Sequence, residues 1–346
     1  MTFLRTPLRT LVAGLGTMGR SHALAYATNP EFELVGLVNR SPVDLPPELA
    51  GHAVTPDFHE ALHRLKPDLV CVATYSDSHA DYAVAAMEAG AHVFVEKPFA
   101  TTVADAERVA EAARRTGKKV VVGYILRHHP SWIRLIEESR ALGGPYVFRL
   151  NLNQQSKGPT WEVHKRLMET TSPLVDCGVH YVDVMCQITD AAPTEVRGMG
   201  LRLSDEVAPG MYNYGHFQVL FADGSVGWYE AGWGPMMSDT AFFVKDVVSP
   251  RGAVSIRMPE SARSDDHATH TATSLIRVHR VGQPDEDLSM ADEPGHQELC
   301  DREQAFVARA IREDLDLTRH LQDAVRSLAV CLAADESVRT GQPVRL

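Results

Sequence analysis

The chain has 346 residues, 44% apolar and 23% charged, the profile of a soluble globular protein too long for one core, so two domains are expected. Its formal net charge of −11, with no lysine- or arginine-rich stripe, argues against nucleic-acid binding. Nothing resembles a signal peptide or a membrane span, and the five scattered cysteines (Cys71, Cys177, Cys186, Cys300, Cys331) fit a reducing cytoplasm better than a disulfide framework or a zinc site.

Up to residue 125, short valine-rich runs alternate with helical patterns: LRTLVAG, ELVGLVN, LVCVAT, AHVFVE and KVVVGY. That alternation predicts a parallel sheet with helices on both faces, a Rossmann-type α/β domain over residues 1–125. The first strand runs into Gly14-Leu15-Gly16-Thr17-Met18-Gly19, which opens a helical stretch, Arg20 to Ala27; the strand Glu33 to Val38 follows a turn at Asn29-Pro30. Glycines there permit a tight turn and close backbone approach, and a pyrophosphate would sit at the positive end of the helix. Gly14, Gly16, Thr17, Met18 and Gly19 are therefore candidate dinucleotide contacts.

NAD sites usually carry an acidic residue about twenty positions on, bonded to the ribose 2′-hydroxyl. Here Asn39, Arg40 and Ser41 stand there instead. A carboxylate would repel a 2′-phosphate, whereas an amide, a guanidinium and a hydroxyl can bond it, so NADP is the better fit and NAD the alternative. Arg40 as a plain solvated charge is the competing reading.

The fourth valine-rich strand ends in Glu96-Lys97-Pro98. In an open α/β sheet ligands bind beyond the carboxyl ends of the strands, so Lys97 could donate to a substrate oxygen, act as an acid or hold the nicotinamide ribose. A surface lysine at a strand end is the bland alternative. The next helix has readable limits: Thr102 as N-cap with Asp105 three residues on, and Gly117 as the stop after Arg114 and Arg115.

Beyond residue 125 the texture turns antiparallel. PYVFRLNLN, TEVRGMGLRL, HFQVLFADGSVGWYEAG, TAFFVKDVV and TSLIRVHR read as strands, with Asp223-Gly224 a hairpin turn. One helical segment spans Pro173 to Thr189, and a final one runs roughly from Gln297 to Thr340. Residues 126–346 thus read as an α+β domain with a large, mainly antiparallel open sheet, one face of which no helix is available to cover.

The segment Asn151 to Met168 carries Asn153, Gln154, Gln155, Lys157, Trp161, His164, Lys165 and Arg166. Amides, bases and an indole suit a polyhydroxylated ring; a polar surface loop is the alternative. The helix entered at Ser172-Pro173 carries Asp176, His180 and Asp183 at i, i+4 and i+7 on an otherwise apolar cylinder. Ionisable groups on a buried helix need a reason. Either they form a satisfied core network, or a carboxylate orients His180 for proton removal from an alcohol. A metal site is not expected, because adjacent helical positions such as Asp176 and Cys177 do not face one ligand and His128-His129 reads as a solvated or substrate-facing pair.

Five stretches together resemble the Gfo/Idh/MocA oxidoreductases, the family of glucose–fructose oxidoreductase and inositol dehydrogenase: GLGTMGRSHA, ATYSDSHADYAVAAMEAGAHVFVEKPFA, GYILRHHPSW, DCGVHYVD and the closing VRTGQPVRL. The resemblance implies a catalytic set of Lys97, Asp176 and His180, with His180 as acid/base, Lys97 as substrate and cofactor anchor and Asp176 as the orienting carboxylate. It also implies a cis Lys97-Pro98 bond and a cofactor lined by Thr74, Tyr75, His79, Glu96 and Lys97. Arg127 and His128 join Asn153, Trp161 and His164 as candidate substrate contacts beside Lys97, Asp176 and His180.

The implied reaction is hydride transfer between nicotinamide and a hydroxyl carbon of a sugar or cyclic polyol, by a homodimer or homotetramer joined through the uncovered sheet face. Departures from the family pattern are Thr171-Ser172-Pro173 in place of a glycine run, Tyr75 in place of a small residue or proline, and Asn39-Arg40 in place of an acidic strand end. A nicotinamide-dependent glycosidase using transient oxidation, and a non-catalytic sensor of NADP and sugar, are the alternative functions.

Overall fold

Six short strands, β1 (Leu8–Ala13), β2 (Phe32–Val38), β3 (Val54–Thr55), β4 (Leu69–Val72), β5 (His92–Val95) and β6 (Val120–Val122), form the first sheet of the computed structural model, which describes residues 6–240, 242–266, 273–290 and 292–346. All its pairings are parallel and the order is β3-β2-β1-β4-β5-β6. That is the doubly wound arrangement in which the strand order reverses between β1 and β4. The central strands are apolar almost throughout because helices cover both faces: Leu11, Val12, Val70, Cys71, Val93, Phe94 and Val121 are all buried.

The connecting helices are α1 (Thr17–Thr28), α2 (Phe58–Leu65), α3 (His79–Glu88) and α4 (Val103–Thr116). α4 starts and stops where its sequence predicts. The Thr102 hydroxyl accepts from the Asp105 backbone N–H at 3.0 Å, and Gly117 ends the helix with φ of +68°.

The second sheet has nine strands: β7 (Val147–Gln155), β8 (Pro193–Leu201), β9 (Tyr214–Phe221), β10 (Val226–Gly234), β11 (Lys245–Ser249), β12 (Gly252–Arg257), β13 (Leu275–Arg280), β14 (Glu286–Ser289) and β15 (Val344–Arg345). Their order is β14-β13-β12-β11-β7-β10-β9-β8-β15, antiparallel except for the β7–β10 pair. Helices α5 (Pro130–Leu142), α6 (Gly158–Leu167), α7 (Pro173–Asp176) and α8 (Gly178–Thr189) precede β8. Alternation divides the sheet's two faces. Phe148, Leu150, Phe217, Val219, Tyr229, Val247, Val254, Ile276 and Val278 are buried, whereas Val147, Leu220 and Met199 on the other face are exposed.

Two features differ from the sequence expectation. The single helix expected over Pro173–Thr189 is interrupted at Cys177. Gly178, just after the break, packs so closely that a Cβ there would lie 3.1 Å from Cys331 Sγ and 3.2 Å from Tyr229 Cε1. The expected final helix is likewise two helices, α9 (His296–Arg312) and α10 (Thr318–Thr340), separated by a turn in which Asp314 has φ of +52°.

The chain divides into two compact units, Met1–Ile125 with His296–Val325, and Leu126–Gly295 with Arg326–Leu346. Residues 296–325, expected in the second domain, thus pack with the first. The cause is apolar burial: Val307, Ala308, Ala310 and Leu317 join a core with Leu8, Leu15, Tyr26, Phe32 and Leu34. The returning segment also caps the sheet edge, since the Val122 backbone N–H donates to His320 Nε2 at 2.8 Å. No helix among the described residues is long and apolar enough to cross a membrane.

Candidate functional site

The three glycines of the turn after β1 have three different surroundings. Gly14 has φ of +93°, and a Cβ there would lie 2.3 Å from the Ala73 carbonyl oxygen. A Cβ on Gly19 would lie 1.9 Å from the Gly14 carbonyl oxygen. Both positions are closed by the protein's own packing. A Cβ on Gly16 would meet nothing within 4 Å. Packing within the fold does not require the absence of a side chain at Gly16, which leaves its backbone open to the approach of a phosphate. Gly16 is also the N-cap of α1, with no side-chain cap and no acidic residue in the first turn, so the helix N-terminus presents its N–H groups to an anion with Thr17 and Met18 in its first turn. These residues fit a dinucleotide pyrophosphate.

At the end of β2 the structure divides the expected trio. The Asn39 side chain is spent on the fold: Oδ1 accepts from the Leu15 backbone N–H at 3.0 Å and Nδ2 donates to the Ser41 carbonyl at 2.7 Å. Asn39 thus braces the glycine turn rather than presenting a whole amide to a 2′-phosphate. Arg40 and Ser41 are exposed.

The β4 end carries Thr74, whose hydroxyl lies 2.7 Å from Ser78 Oγ, and Tyr75, which is 48% exposed. His79 is buried, with Nδ1 2.9 Å from the Pro98 carbonyl and Nε2 3.0 Å from the Thr74 carbonyl. Burial lowers its pKa against the pull of those two carbonyls, and a neutral imidazole donates to only one of them. His79 therefore ties the loop after β4 to the loop after β5. Its ring nitrogens face the protein, which differs from the expected lining role. Glu96, at the end of β5, is likewise buried, 2.6 Å from His22 Nε2, while Lys97 beside it is half-buried and joined to Pro98 by a cis bond.

In the second unit, α7 begins as the sequence predicts. Ser172 is the N-cap, its hydroxyl accepting from the Val175 N–H at 3.1 Å, and Pro173 occupies the first turn. The same hydroxyl donates to Asp335 of α10 at 2.7 Å. Asp176 at the end of α7 and His180 in the first turn of α8 are half-buried. Asp183 is fully buried and has the structural explanation: Arg127 Nε and Nη2 meet its two oxygens at 2.8 and 2.6 Å, and Gln187 Nε2 donates at 2.9 Å. Removing one partner of such a buried pair typically costs about 3–5 kcal/mol. Arg127 is thereby committed to the fold rather than open to substrate.

His128 is half-buried. Asn153 Nδ2 donates to Glu230 at 2.8 Å. Trp161 is 5% exposed with its indole N–H on Glu206 at 3.2 Å, and buried His164 stacks on Trp233 with centroids 4.3 Å apart. The open indole face expected of Trp161 is not what the structure presents, because α6 turns its apolar side into the unit.

Two buried polar clusters were not singled out in the sequence. One, in the first unit, brings ligand atoms of His22, Glu96 and Glu303 within 4.8 Å of one another. Burial, then the Glu96 charge, hold the Glu303 carboxyl well above the usual carboxylate range. The only sequence signal was a polar residue on the inward side of α1 and of α9. The other, in the second unit, holds Lys245 and Glu293, whose pKa values burial moves to about 7 from opposite directions.

Two family models match the chain: the oxidoreductase family with NAD-binding Rossmann fold over residues 8–124, and the GFO/IDH/MocA C-terminal domain over residues 133–244. Inositol 2-dehydrogenase of Salmonella typhimurium is 28% identical over 186 residues, 51% of this chain and 53% of that protein, so the chain matches about half the length of this curated relative. The scyllo-inositol 2-dehydrogenase (NAD(+)) of Bacillus subtilis is 25% identical over 98% of this chain and 96% of that protein. In fold the chain is similar to scyllo-inositol dehydrogenase from Lactobacillus casei, solved with bound NAD(H) and scyllo-inositol, with a TM-score of 0.78 and 18% identity over 98% of this chain and 99% of that one.

Gly16→Ala should leave thermal stability unchanged while weakening dinucleotide binding on the order of tenfold by titration, because the new methyl enters only the phosphate's space. Gly19→Ala should instead destabilise the fold by about 1–3 kcal/mol in a denaturant melt. Equal behaviour of the two variants would contradict the division.

Proposed function

The chain belongs to the Gfo/Idh/MocA oxidoreductase family, and on that premise we propose that it transfers a hydride between a nicotinamide cofactor and a hydroxyl-bearing carbon of a sugar or cyclic polyol. The observation that carries this reading is the open Gly16 cradle at the uncapped end of α1, in a sheet whose β5 leads out to half-buried Lys97. Bound nicotinamide would supply the hydride acceptor or donor. His180 takes the hydroxyl proton as the carbon–oxygen bond becomes a carbonyl, and returns it in reduction. Asp176 orients His180, and Lys97 donates a hydrogen bond to the reacting oxygen.

Lys97→Ala and His180→Ala should each lower turnover by roughly a hundredfold or more, the scale of one general acid–base group, with dinucleotide affinity nearly unchanged. Spectrophotometric assay across polyols and aldoses, beside binding titration, measures both; full activity in either variant would sink the assignment.

NADP is the preferred cofactor in this proposal. Arg40 and Ser41 are exposed beside the glycine turn, and no carboxylate stands at the β2 end to repel a 2′-phosphate. Arg40→Ala should weaken NADP on the order of tenfold and NAD little, as befits loss of one charge-assisted contact. Equal losses would remove the preference.

The protein works as a homo-oligomer joined through the sheet face that carries exposed Val147, Leu220 and Met199. Its five cysteines are buried thiols outside any disulfide, which suits a reducing compartment such as the cytoplasm. Light scattering of the purified protein should give the mass of a dimer or tetramer at micromolar concentration, and a monomer would refute the interface.

A further inference from the structure

One buried polar cluster of the first unit takes no part in the proton and hydride steps above. It is a directed chain of hydrogen bonds. The Tyr26 hydroxyl donates to Gln304 Oε1 at 2.5 Å, and Gln304 Nε2 lies 3.0 Å from His22 Nδ1. His22 Nε2 lies 2.6 Å from Glu96 Oε1, and the Lys97 backbone N–H donates to Glu96 Oε2 at 3.1 Å.

The order of donors sets the histidine tautomer. Because the Gln304 oxygen receives the tyrosine proton, its NH2 group faces His22, so Nδ1 accepts and Nε2 carries the hydrogen given to Glu96. The carboxylate lies over Gly123, where a Cβ would come within 3.2 Å of its Cδ and Oε2. All four side chains are buried.

We propose that His22, Glu96 and Gln304 form a positioning relay that sets the backbone at Lys97, tying the strand end that bears the lysine to the helix that follows the glycine turn. The relay rests on the catalytic assignment of Lys97 made above, and His22 acts in it as a positioning residue. It needs α9, which supplies Gln304 from the far end of the chain.

Glu303 is the neighbour that could argue for a cation instead. It is 1% exposed, neither of its oxygens has a partner among the described residues, and it lies with His22 and Glu96 inside the 4.8 Å cluster. A cation there would need a free lone pair on His22. Nε2 carries a hydrogen, and the Nδ1 lone pair takes the Gln304 amide. Burial, then the Glu96 charge, push the Glu303 carboxyl upward and so favour its neutral form, in which a buried carboxyl needs no cation.

The test uses the full chain, with the fastest-oxidised member of a polyol and aldose panel and the preferred dinucleotide. A substrate-free readout is the NMR resonance of Lys97 in protein whose lysines carry 13C-methyl groups, identified by its loss in Lys97→Arg. His22→Ala should lower kcat on the order of tenfold, with KM and dinucleotide Kd within about twofold, as expected for misplacement of a reacting group, and should shift the Lys97 resonance. His22→Gln, whose amide can donate to Glu96 and accept from Gln304, should restore both. Glu303→Gln should match the parent protein.

Parental kcat and resonance in His22→Ala would overturn the relay, as would His22→Gln failing as badly as His22→Ala while folded. So would an equal loss in Glu303→Gln, or stoichiometric metal by elemental analysis. Should His22→Ala not fold, Gln304→Leu removes the amide that orients the ring, and an unchanged kcat and resonance there overturns the proposal equally. Full turnover in Lys97→Ala would instead condemn the catalytic assignment, and the lysine resonance would still decide the relay.

Discussion

A histidine ring and a carboxylate 2.6 Å apart, both withdrawn from water, are the contact around which the first unit is organised. Burying such a pair is costly unless every polar atom finds a partner, and the partners determine where the chain must go. The remaining nitrogen of His22 is met by Gln304, and the remaining oxygen of Glu96 by the Lys97 N–H. Since Gln304 belongs to α9, the Rossmann sheet draws on a helix encoded far downstream of its last strand to complete its interior. The division of the chain into units that are discontinuous in sequence follows from this demand together with the apolar side of α9.

Around that interior the glycine turn separates folding from binding at the level of single positions. Gly14 and Gly19 are dictated by backbone approach within the protein, while Gly16 is not. Asn39 belongs with the first group. Its side chain spans from the turn to the Ser41 carbonyl, so it holds the end of β2 against the loop it faces. A residue type read as a ligand contact thus serves as a brace, while Arg40 and Ser41 next to it are exposed.

What the sequence made legible was local. Strand–helix alternation, the Thr102 and Gly117 limits of α4 and the Ser172-Pro173 start of α7 all follow from short-range rules, and each appears in the structure. The partners of long-range contacts were hidden. Asp183 could be flagged as a charge on an apolar helix, but nothing in its spacing pointed to Arg127, fifty-six residues earlier. The inward faces of Trp161 and His164 were hidden too, because a polar segment containing an indole reads alike whether it covers a pocket or packs under one. The break at Cys177 depends on how near β10 and α10 approach Gly178, which no helical period reveals.

The residues expected to share the chemistry are held by unlike devices. Asp176 and His180 sit at a helix start locked by Ser172, by Asp335 and by the close packing of Gly178, all constraints within the second unit. Lys97 has no helix under it, only a strand end. A backbone amide there can be set in place either by sheet pairing, which on this strand runs as far as the Glu96 N–H on the Val72 carbonyl at 2.8 Å, or by a side chain. The Glu96 carboxylate fills that vacancy, and it must itself be immobilised to do so. A well-packed apolar residue in place of such a buried pair often costs a fold nothing. Stability alone therefore gives little reason to keep His22, Glu96 and Gln304 in the core of this sheet, and the proposed placement of Lys97 would supply one.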